Sequence, residues 1–393
     1  TYTIPDVGAS AAFVLTAGAQ TIGGLKTFTN GLISNIGITG TNLVYNTGDQ
    51  IVSGIKIFGQ NSNIYDSTNS HILGGINNTI SGVTGATIVG GSGNLVSGDY
   101  SFIGGGFGNI ANKAYSFVGG GRYNTASGDN LDFTINGYST VGGGYNNKAD
   151  GNYSCVAGGD NNKASAEGSF VGGGQLNTAI SLYSFVGAGF SNTSNGYASF
   201  IGAGDSNTAN SDHSFVGGGS NNVANGDYSF IGGGVTNKTS GYYSSIVGGD
   251  LNSIIGITGS GLDTNANIFT YTGSFIGGGD RNKIESANHS VIVGGILNNI
   301  SGATGTGSLG QLYVDRLVYA TIGGGLRNNV YKNYGTIVGG QNNTVGGNHS
   351  FIGAGRFNTG LGAYSAIAGG DGNKANGNYS FVGGGNSLSL IHI

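Results

Sequence analysis

A short pattern of alternating apolar and polar residues recurs along most of the chain. Residues 115–119 are Tyr-Ser-Phe-Val-Gly, and residues 228–232 are Tyr-Ser-Phe-Ile-Gly. Alternation with a period of two over so few residues predicts a short β-strand, and the Gly- and Asn-rich segment that follows predicts a tight corner. A second short segment, such as Asn-Thr-Ala at 124–126, predicts another strand before the next corner. Each copy of the pattern therefore predicts two strands and two corners.

The copies align on an asparagine that follows the glycines, and the sequence contains 19 of them. From Asn147 to Asn252 their spacing is 15 residues throughout, which is too short for a pair of helices. One copy cannot bury its own apolar side chains, whereas parallel stacking of the copies forms a continuous core. The sequence therefore predicts an all-β parallel β-solenoid of 15-residue rungs over residues 61–387, a rod about 90 Å long at the usual strand spacing. The aligned residues are Asn63, Asn78, Asn94, Asn109, Asn124, Asn147, Asn162, Asn177, Asn192, Asn207, Asn222, Asn237, Asn252, Asn282, Asn298, Asn328, Asn343, Asn358 and Asn373.

Three columns of aligned residues predict how the rungs are held together. The Val or Ile before the first glycine, as at Val171 and Ile201, is predicted to point into the core. The Ala two residues after the asparagine, as at Ala179, is predicted to be its small interior partner. The asparagine side chains are predicted to hydrogen-bond from rung to rung as a ladder. In the most regular stretch this asparagine ladder comprises Asn147, Asn162, Asn177, Asn192, Asn207, Asn222 and Asn237.

The position before the core Val or Ile holds phenylalanine in many copies. Strand alternation turns this position away from the core, and a row of Phe in water is an aggregation liability. One interpretation is that other chains of an oligomer cover the row, which makes it a candidate seam. The other is an exposed apolar track for a ligand. The candidate seam residues are Phe170, Phe185, Phe200, Phe215 and Phe230.

The repeat resembles a known family. Residues 116–128, Ser-Phe-Val-Gly-Gly-Gly-x-x-Asn-x-Ala-x-Gly, are similar to the head repeats of YadA-like trimeric autotransporter adhesins, and the similarity covers about residues 60–387. The resemblance implies a left-handed parallel β-roll, a homotrimer and a role in adhesion outside the cell. The chain departs from the family in its 15-residue period and in having Phe where the heads usually carry Ala.

The two ends of the chain differ from the repeat. Residues 17–28 and 47–58 share the pattern x-Gly-x-Gln-x-Ile/Val-x-Gly-x-Lys-x-Phe, which resembles shaft repeats of bacteriophage tail fibres and predicts a fibre-shaft-like region over residues 1–60. Residues 388–393, Leu-Ser-Leu-Ile-His-Ile, fit no position of the repeat and resemble a translated sequencing-library adaptor. We therefore expect residues 388–393 to be a non-native tail.

The regular spacing is interrupted by three insertions, at 129–136, 257–272 and 303–319, which all leave from the same corner. Solenoids place insertions on one face, which is often the binding face. The alternative is that a surface corner simply tolerates extra residues, or that a 30-residue spacing between asparagines contains one degenerate rung. The candidate receptor-binding residues in the last two insertions are Phe269, Tyr271, Tyr313, Asp315, Arg316 and Tyr319.

Composition excludes several classes of protein. The chain has 84 Gly but one Pro among 393 residues, which excludes collagen, and its net charge of −4 without a basic block argues against nucleic-acid binding. The single Cys155 excludes an internal disulfide framework, and the absence of a long apolar run predicts no membrane insertion. No metal-ligand spacing, phosphate-binding loop or carboxylate cluster is present, so we expect no catalytic residues, no cofactor and no metal.

Two further columns carry polar chemistry. Tyr precedes the serine of many copies and could stack on sugar rings, although burial at a chain seam would explain it as well. Asp160 with Lys163, and two equivalent pairs, predict short exposed ion pairs within a rung.

Taken with the resemblance, these features predict a non-enzymatic fibrous adhesin or phage tail-fibre-like receptor-binding protein. It would be an extracellular homotrimeric rod, on a virion or a cell surface, that binds a host-cell receptor or glycan. The alternative is a purely structural extracellular filament or surface-layer component without a receptor.

Overall fold

A computed structural model describes residues 60–127, 137–256, 273–302 and 319–391, together with the backbone of the strands Lys56–Ile57 and Leu317–Val318. These residues belong to one compact unit, Ile51–Ile393. The described residues are all-β, and none of them lies in a helix that is long and apolar enough to cross a membrane. The shaft-like region predicted for residues 1–60 lies outside the described residues, apart from Lys56–Ile57 and Gln60.

Two parallel sheets of 20 strands each run along the solenoid, and successive strands of a sheet come from successive rungs. The first sheet contains the strands of the Phe-Val type: Lys56–Ile57, His71–Ile72, Thr87–Ile88, Phe102–Ile103, Phe117–Val118, Thr140–Val141, Cys155–Val156, Phe170–Val171, Phe185–Val186, Phe200–Ile201, Phe215–Val216, Phe230–Ile231, Ser245–Ile246, Phe275–Ile276, Val291–Ile292, Thr321–Ile322, Thr336–Ile337, Phe351–Ile352, Ala366–Ile367 and Phe381–Val382.

The second sheet contains the strands that follow the asparagine: Asn63–Tyr65, Thr79–Ser81, Leu95–Val96, Ile110–Ala111, Thr125–Ala126, Lys148–Ala149, Lys163–Ala164, Thr178–Ala179, Thr193–Ser194, Thr208–Ala209, Val223–Ala224, Lys238–Thr239, Ser253–Ile255, Lys283–Glu285, Asn299–Ser301, Asn329–Val330, Thr344–Val345, Thr359–Gly360, Lys374–Ala375 and Ser389–Leu390. A separate pair of strands, Ala287–Asn288 and Leu317–Val318, forms a small third sheet.

The register is the one that the sequence alignment predicts, except at the first copy. There Asn63 pairs with Thr79, and Ser62 takes the ladder position, with its Oγ accepting the backbone N–H of Asn78 at 3.2 Å, so the assignment of Asn63 to the ladder is wrong. Phe185 pairs with Phe170 on one side and with Phe200 on the other. Between the two sheets, one residue of each rung forms a single bridge to the next rung, as Gln175 does to Phe190. The predicted parallel β-solenoid is therefore confirmed. The stack begins before the predicted boundary at residue 61, because Lys56–Ile57 pairs with His71–Ile72.

The core is a narrow double column between the sheets. Val171, Val186 and Ile201 of the first sheet are completely buried, and so are Ala179 and Ala209 of the second. Each buried Val or Ile contributes roughly 1.5–3 kcal/mol, and the small Ala lets the opposite sheet approach closely. Both core columns were predicted from the sequence, and both predictions are confirmed.

The corners require backbone conformations that the sequence pattern did not reveal. The residue before the ladder asparagine has a positive φ in nearly every rung, even where it is Leu176 (58°), Thr236 (56°) or Phe357 (53°). An L-residue in this region costs about 1–2 kcal/mol, so the stacking of the rungs must compensate. At Gly174 (φ 84°) no side chain could fit, because a Cβ would lie 2.1 Å from the carbonyl oxygen of Gly189.

The solenoid passes across the interruptions without a change of register. Strand Ser245–Ile246 pairs directly with Phe275–Ile276, although residues 257–272 intervene in the chain. The same holds for Phe117–Val118 with Thr140–Val141 and for Val291–Ile292 with Thr321–Ile322. Each intervening segment connects a strand of the second sheet to the next strand of the first. All three therefore leave from the same corner, as predicted.

The C-terminal segment continues the repeat for part of a rung. Ser389–Leu390 pairs with Lys374–Ala375, and Leu390 packs against the core. The backbone N–H of Leu388 donates to Oδ1 of Asn373 at 2.9 Å, as a ladder asparagine would. The expectation that residues 388–393 fit no position of the repeat is therefore wrong for 388–390, because main-chain pairing does not require the consensus side chains.

Candidate functional site

The side chains of the asparagine ladder form hydrogen bonds with the backbone of neighbouring rungs. Asn192 is fully buried, and its Oδ1 accepts the backbone N–H of Asn207 at 3.0 Å. Its Nδ2 donates to Ala188 O in its own rung at 3.1 Å and to Gly204 O in the next at 2.8 Å. Each asparagine therefore satisfies polar groups of two rungs, which is what a buried amide requires. The same arrangement holds Asn147, Asn162, Asn177, Asn207, Asn222 and Asn237.

A second buried polar column was not predicted. The serine that precedes the first-sheet strand is buried in most rungs, and in six of them its hydroxyl donates to a carbonyl three residues earlier. The Oγ of Ser169, Ser184 and Ser214 lies 2.6 Å from the carbonyl oxygen of Ala166, Ser181 and Ser211, respectively. The signal was present in the sequence, since Ser is almost invariant at this position.

Five consecutive phenylalanines of the first sheet, from Phe170 to Phe230, form a continuous stack of rings on its outer side. From Phe170 to Phe230, neighbouring ring centroids are 4.7–5.0 Å apart and the ring planes are within 10° of parallel. The structure thus brings together all five candidate seam residues. They are half-buried by one another, with Phe230 the most open at 37% exposure. Farther along the same column, Phe381 is 61% exposed.

Each of these rings lies over a glycine. Ten rungs have Phe in the outward position, and in all ten the residue two positions later is Gly. A Cβ on Gly172 would lie 3.3 Å from Cε1 of Phe170, and the other nine pairs give 3.4–3.6 Å or, at Gly232, 3.3 Å. The ring therefore contacts the position that a Cβ would take, and in nine of the ten rungs the carbonyl oxygen of the next rung, 2.2–2.4 Å from that position, excludes a side chain. These glycines are Gly104, Gly119, Gly172, Gly187, Gly202, Gly217, Gly232, Gly277, Gly353 and Gly383.

Five of the rungs without Phe supply an apolar group at the second position instead, whereas the rungs of Thr140 and Thr321 have Gly there and those of Cys155 and Ala366 have Ala. Leu73, Val89, Val247, Val293 and Val338 stand where the Phe rungs have Gly, and Val293 and Val338 are more than half exposed. The outer side of the first sheet, which we call the Phe/Val face, thus keeps one large apolar side chain in most rungs. The outer side of the second sheet is polar by contrast, with residues such as Thr178, Thr193 and Lys163. The first of these sides is therefore mainly apolar and the second mainly polar, although Ile180 and Leu361 are exposed on the second.

Tyrosine and histidine form a second ring stack along the corner before the first sheet. Tyr319, Tyr334, His349, Tyr364 and Tyr379 are stacked in sequence with centroids 4.5–5.5 Å apart. All five have φ between 56° and 59°, so the corner itself aligns them. His213, His289 and His349 thus take the place of tyrosines in this column.

This stacking limits how the tyrosine column can bind sugars. In the stacked runs, the faces of a ring are covered by its neighbours, so its edge and its polar tip point outward. Stacking on a sugar needs an open ring face, which a stacked run offers only at its ends. The hypothesis that sugars stack along the whole column is therefore disfavoured by the geometry.

Of the six candidate receptor-binding residues, only Tyr319 is among the described residues. The structure places it in the corner stack rather than in a loop, 5.3 Å from His289 and 5.5 Å from Tyr334 between ring centroids. The inserted segment therefore ends before Leu317, because Leu317–Val318 already pairs with Ala287–Asn288. Phe269, Tyr271, Tyr313, Asp315 and Arg316 lie outside the described residues.

The predicted ion pairs within a rung are not formed. Lys163 pairs with Asp150 of the preceding rung at 3.3 Å, and Lys283 pairs with Glu285 at 2.6 Å. Asp371 pairs with Arg356 of the preceding rung, also at 2.6 Å. The prediction failed because a buried asparagine separates the two charged residues and turns the chain inward between them. The observed pairs are exposed and contribute little to stability.

Reactive groups are sparse in the described residues. No group of three or more His, Cys, Asp or Glu side chains that could hold a metal ion occurs there. Cys155 takes one of the outward positions of the first sheet, and burial raises the pKa of its thiol, which lowers the thiolate fraction at neutral pH. The Asp227 carboxylate raises the pKa of the Tyr242 phenol through its charge.

Comparison with known proteins finds no protein-family model that matches the chain and no curated protein with significant similarity to it.

Proposed function

We propose that the chain is a subunit of a non-enzymatic extracellular fibre, an adhesin or tail-fibre-like receptor-binding protein. In this proposal it is a β-roll of 15-residue rungs, as the spacing of the asparagines indicates, and a left-handed one, as the resemblance to YadA-like heads implies. The single observation that supports the proposal best is the contrast between a uniform solenoid and three interruptions at one corner. A uniform rod supplies length and stiffness, and the interruptions supply the places where a receptor can be recognised.

The Phe/Val face supports an assembly of several copies. An apolar stripe of this length rarely stays exposed in a soluble protein, and rungs with and without Phe both maintain it. A partner that covers it must match the rung spacing over many rungs, and a second copy of the same solenoid has that spacing. We propose a homotrimer in which this face is the seam, because three copies is the number that the resemblance implies.

The segments 257–272 and 303–316 are the proposed receptor-binding elements. The regular rungs present the same side chains repeatedly, whereas these segments differ from one another in sequence and carry the candidates Phe269, Tyr271, Tyr313, Asp315 and Arg316. Aromatic and Arg side chains dominate binding energy at protein surfaces, and Tyr also suits a glycan. The proposed ligand is a host-cell receptor or glycan.

Removal of residues 257–272 tests this proposal. The deletion joins Gly256 to Gly273 at a corner where the flanking strands already pair, so we expect the solenoid to stay folded by circular dichroism. Binding to host cells or to a glycan array should fall at least tenfold. The matched control is deletion of 129–136, which leaves the corner's pairing and all six candidate residues in place. Unchanged attachment after removal of both 257–272 and 303–316 would favour the alternative, a structural filament or surface-layer component.

A further inference from the structure

The corner stack places phenol rings of neighbouring rungs in contact. Six pairs of tyrosines are stacked with centroids 4.8–5.5 Å apart and planes within 17° of parallel. Every tyrosine in these pairs is at least 40% exposed, so a reagent in solution can reach it. The pairs are Tyr100–Tyr115, Tyr115–Tyr138, Tyr138–Tyr153, Tyr228–Tyr243, Tyr319–Tyr334 and Tyr364–Tyr379.

We propose that these pairs are sites of dityrosine cross-linking by a one-electron oxidant such as a haem peroxidase with hydrogen peroxide. The oxidant removes one electron and one proton from each phenol, which leaves two tyrosyl radicals. A bond forms between a Cε carbon of each ring, and the ring hydrogens move to the oxygens as the rings regain aromaticity. The two electrons and two protons reduce one hydrogen peroxide to two water molecules.

Proximity selects the pairs that react. Two radicals generated at random on the surface couple slowly, whereas neighbours in the column are held close together, so two Cε carbons meet once the side chains rotate to place the new bond in the plane of both rings. Tyr183 and Tyr197 are farther apart than any of the six pairs, with ring centroids at 5.9 Å, and are not stacked. In other places a histidine interrupts the column, as His349 does between Tyr334 and Tyr364.

The cross-link would act as a covalent staple between rungs. The chain has a single cysteine and therefore no internal disulfide. A bond between adjacent rungs restricts the unfolded chain and holds the edges of the rungs together when they begin to separate. Oxidation would thus strengthen the solenoid along its axis.

Peroxidase treatment of the full chain at low protein concentration tests the proposal. We expect dityrosine fluorescence, and proteolysis with mass spectrometry should give cross-linked peptides from the six stacked pairs, each lighter by two hydrogen atoms. Tyr115→Phe keeps the stack but should abolish the cross-links to Tyr100 and Tyr138 while leaving Tyr138–Tyr153. Tyr197→Phe is the matched control and should change none of the six.

A gain-of-function variant makes the test independent of loss of folding. His349→Tyr should introduce two new cross-links, to Tyr334 and to Tyr364, whose rings lie 4.5 and 4.8 Å from that of His349. The oxidised protein should also unfold at a higher temperature than the untreated protein. Cross-links distributed evenly over exposed tyrosines such as Tyr65 and Tyr331, or formed only between molecules, would overturn the proposal.

Discussion

Two asparagines of one rung, Asn207 and Asn210, show how burial determines the contribution of a side-chain amide to stability. Asn207 is fully buried, and its Oδ1 accepts the backbone N–H of Asn222 at 3.0 Å. Asn210 is exposed and joins Asn195 and Asn225 in a row of side-chain amides along the surface. Both therefore take part in hydrogen bonds between rungs. Only the first has partners that water cannot replace.

We predict that Asn207→Ala destabilises the solenoid by about 2–3 kcal/mol, because it leaves a buried backbone N–H without an acceptor. Asn210→Ala should change stability by no more than about 0.5 kcal/mol, since water takes over at an exposed amide. Urea unfolding of both variants, followed by circular dichroism, measures the difference. Equal losses would mean that the ladder is no more important than the surface row.

At the level of the strand, Phe at the outward position occurs with Gly two residues later, and a smaller residue there often occurs with Val. We therefore expect the effects of mutations at these two positions on stability to be strongly coupled. The rung of Ser245 and Val247 lies between two Phe/Gly rungs, those of Phe230 and Phe275. A rung of this kind is therefore compatible with Phe/Gly neighbours on both sides. Phe200 and Gly202 have the same neighbourhood, between the rungs of Phe185 and Phe215.

We predict that Phe200→Ser and Gly202→Val each destabilise the solenoid by about 1–3 kcal/mol. The first uncovers the glycine, and the second meets both the Phe ring and the Gly217 carbonyl oxygen, 2.4 Å from the new Cβ. The double variant copies the Ser245 rung and should recover at least about 1 kcal/mol of the summed loss. A double-mutant cycle from denaturant unfolding gives this value, and simple additivity would contradict the explanation.

The strands were predictable because one local rule acts in every rung. Alternation assigned Val171 to the core and Phe170 to the outside, and the spacing of the asparagines set the register. The ring stacks and the ion pairs were not predictable, since they depend on how side chains of successive rungs meet. Lys163 finds Asp150 of the preceding rung because the corner separates it from Asp160. For the inserted segments no repeated rule exists, so the sequence gives only their position.

At the scale of the whole molecule, the Phe/Val face makes the assembly state the decisive measurement. If that face is the seam, light scattering should give a mass of three chains, and Phe200→Asp with Phe215→Asp should yield folded single chains. The two charges would face the partner chains, where their desolvation opposes association. Val216→Asp places one charge in the fully buried core and should unfold the neighbouring rungs instead. Circular dichroism distinguishes the two outcomes, and a wild-type chain that is already a stable monomer would show that the Phe/Val face is not a seam.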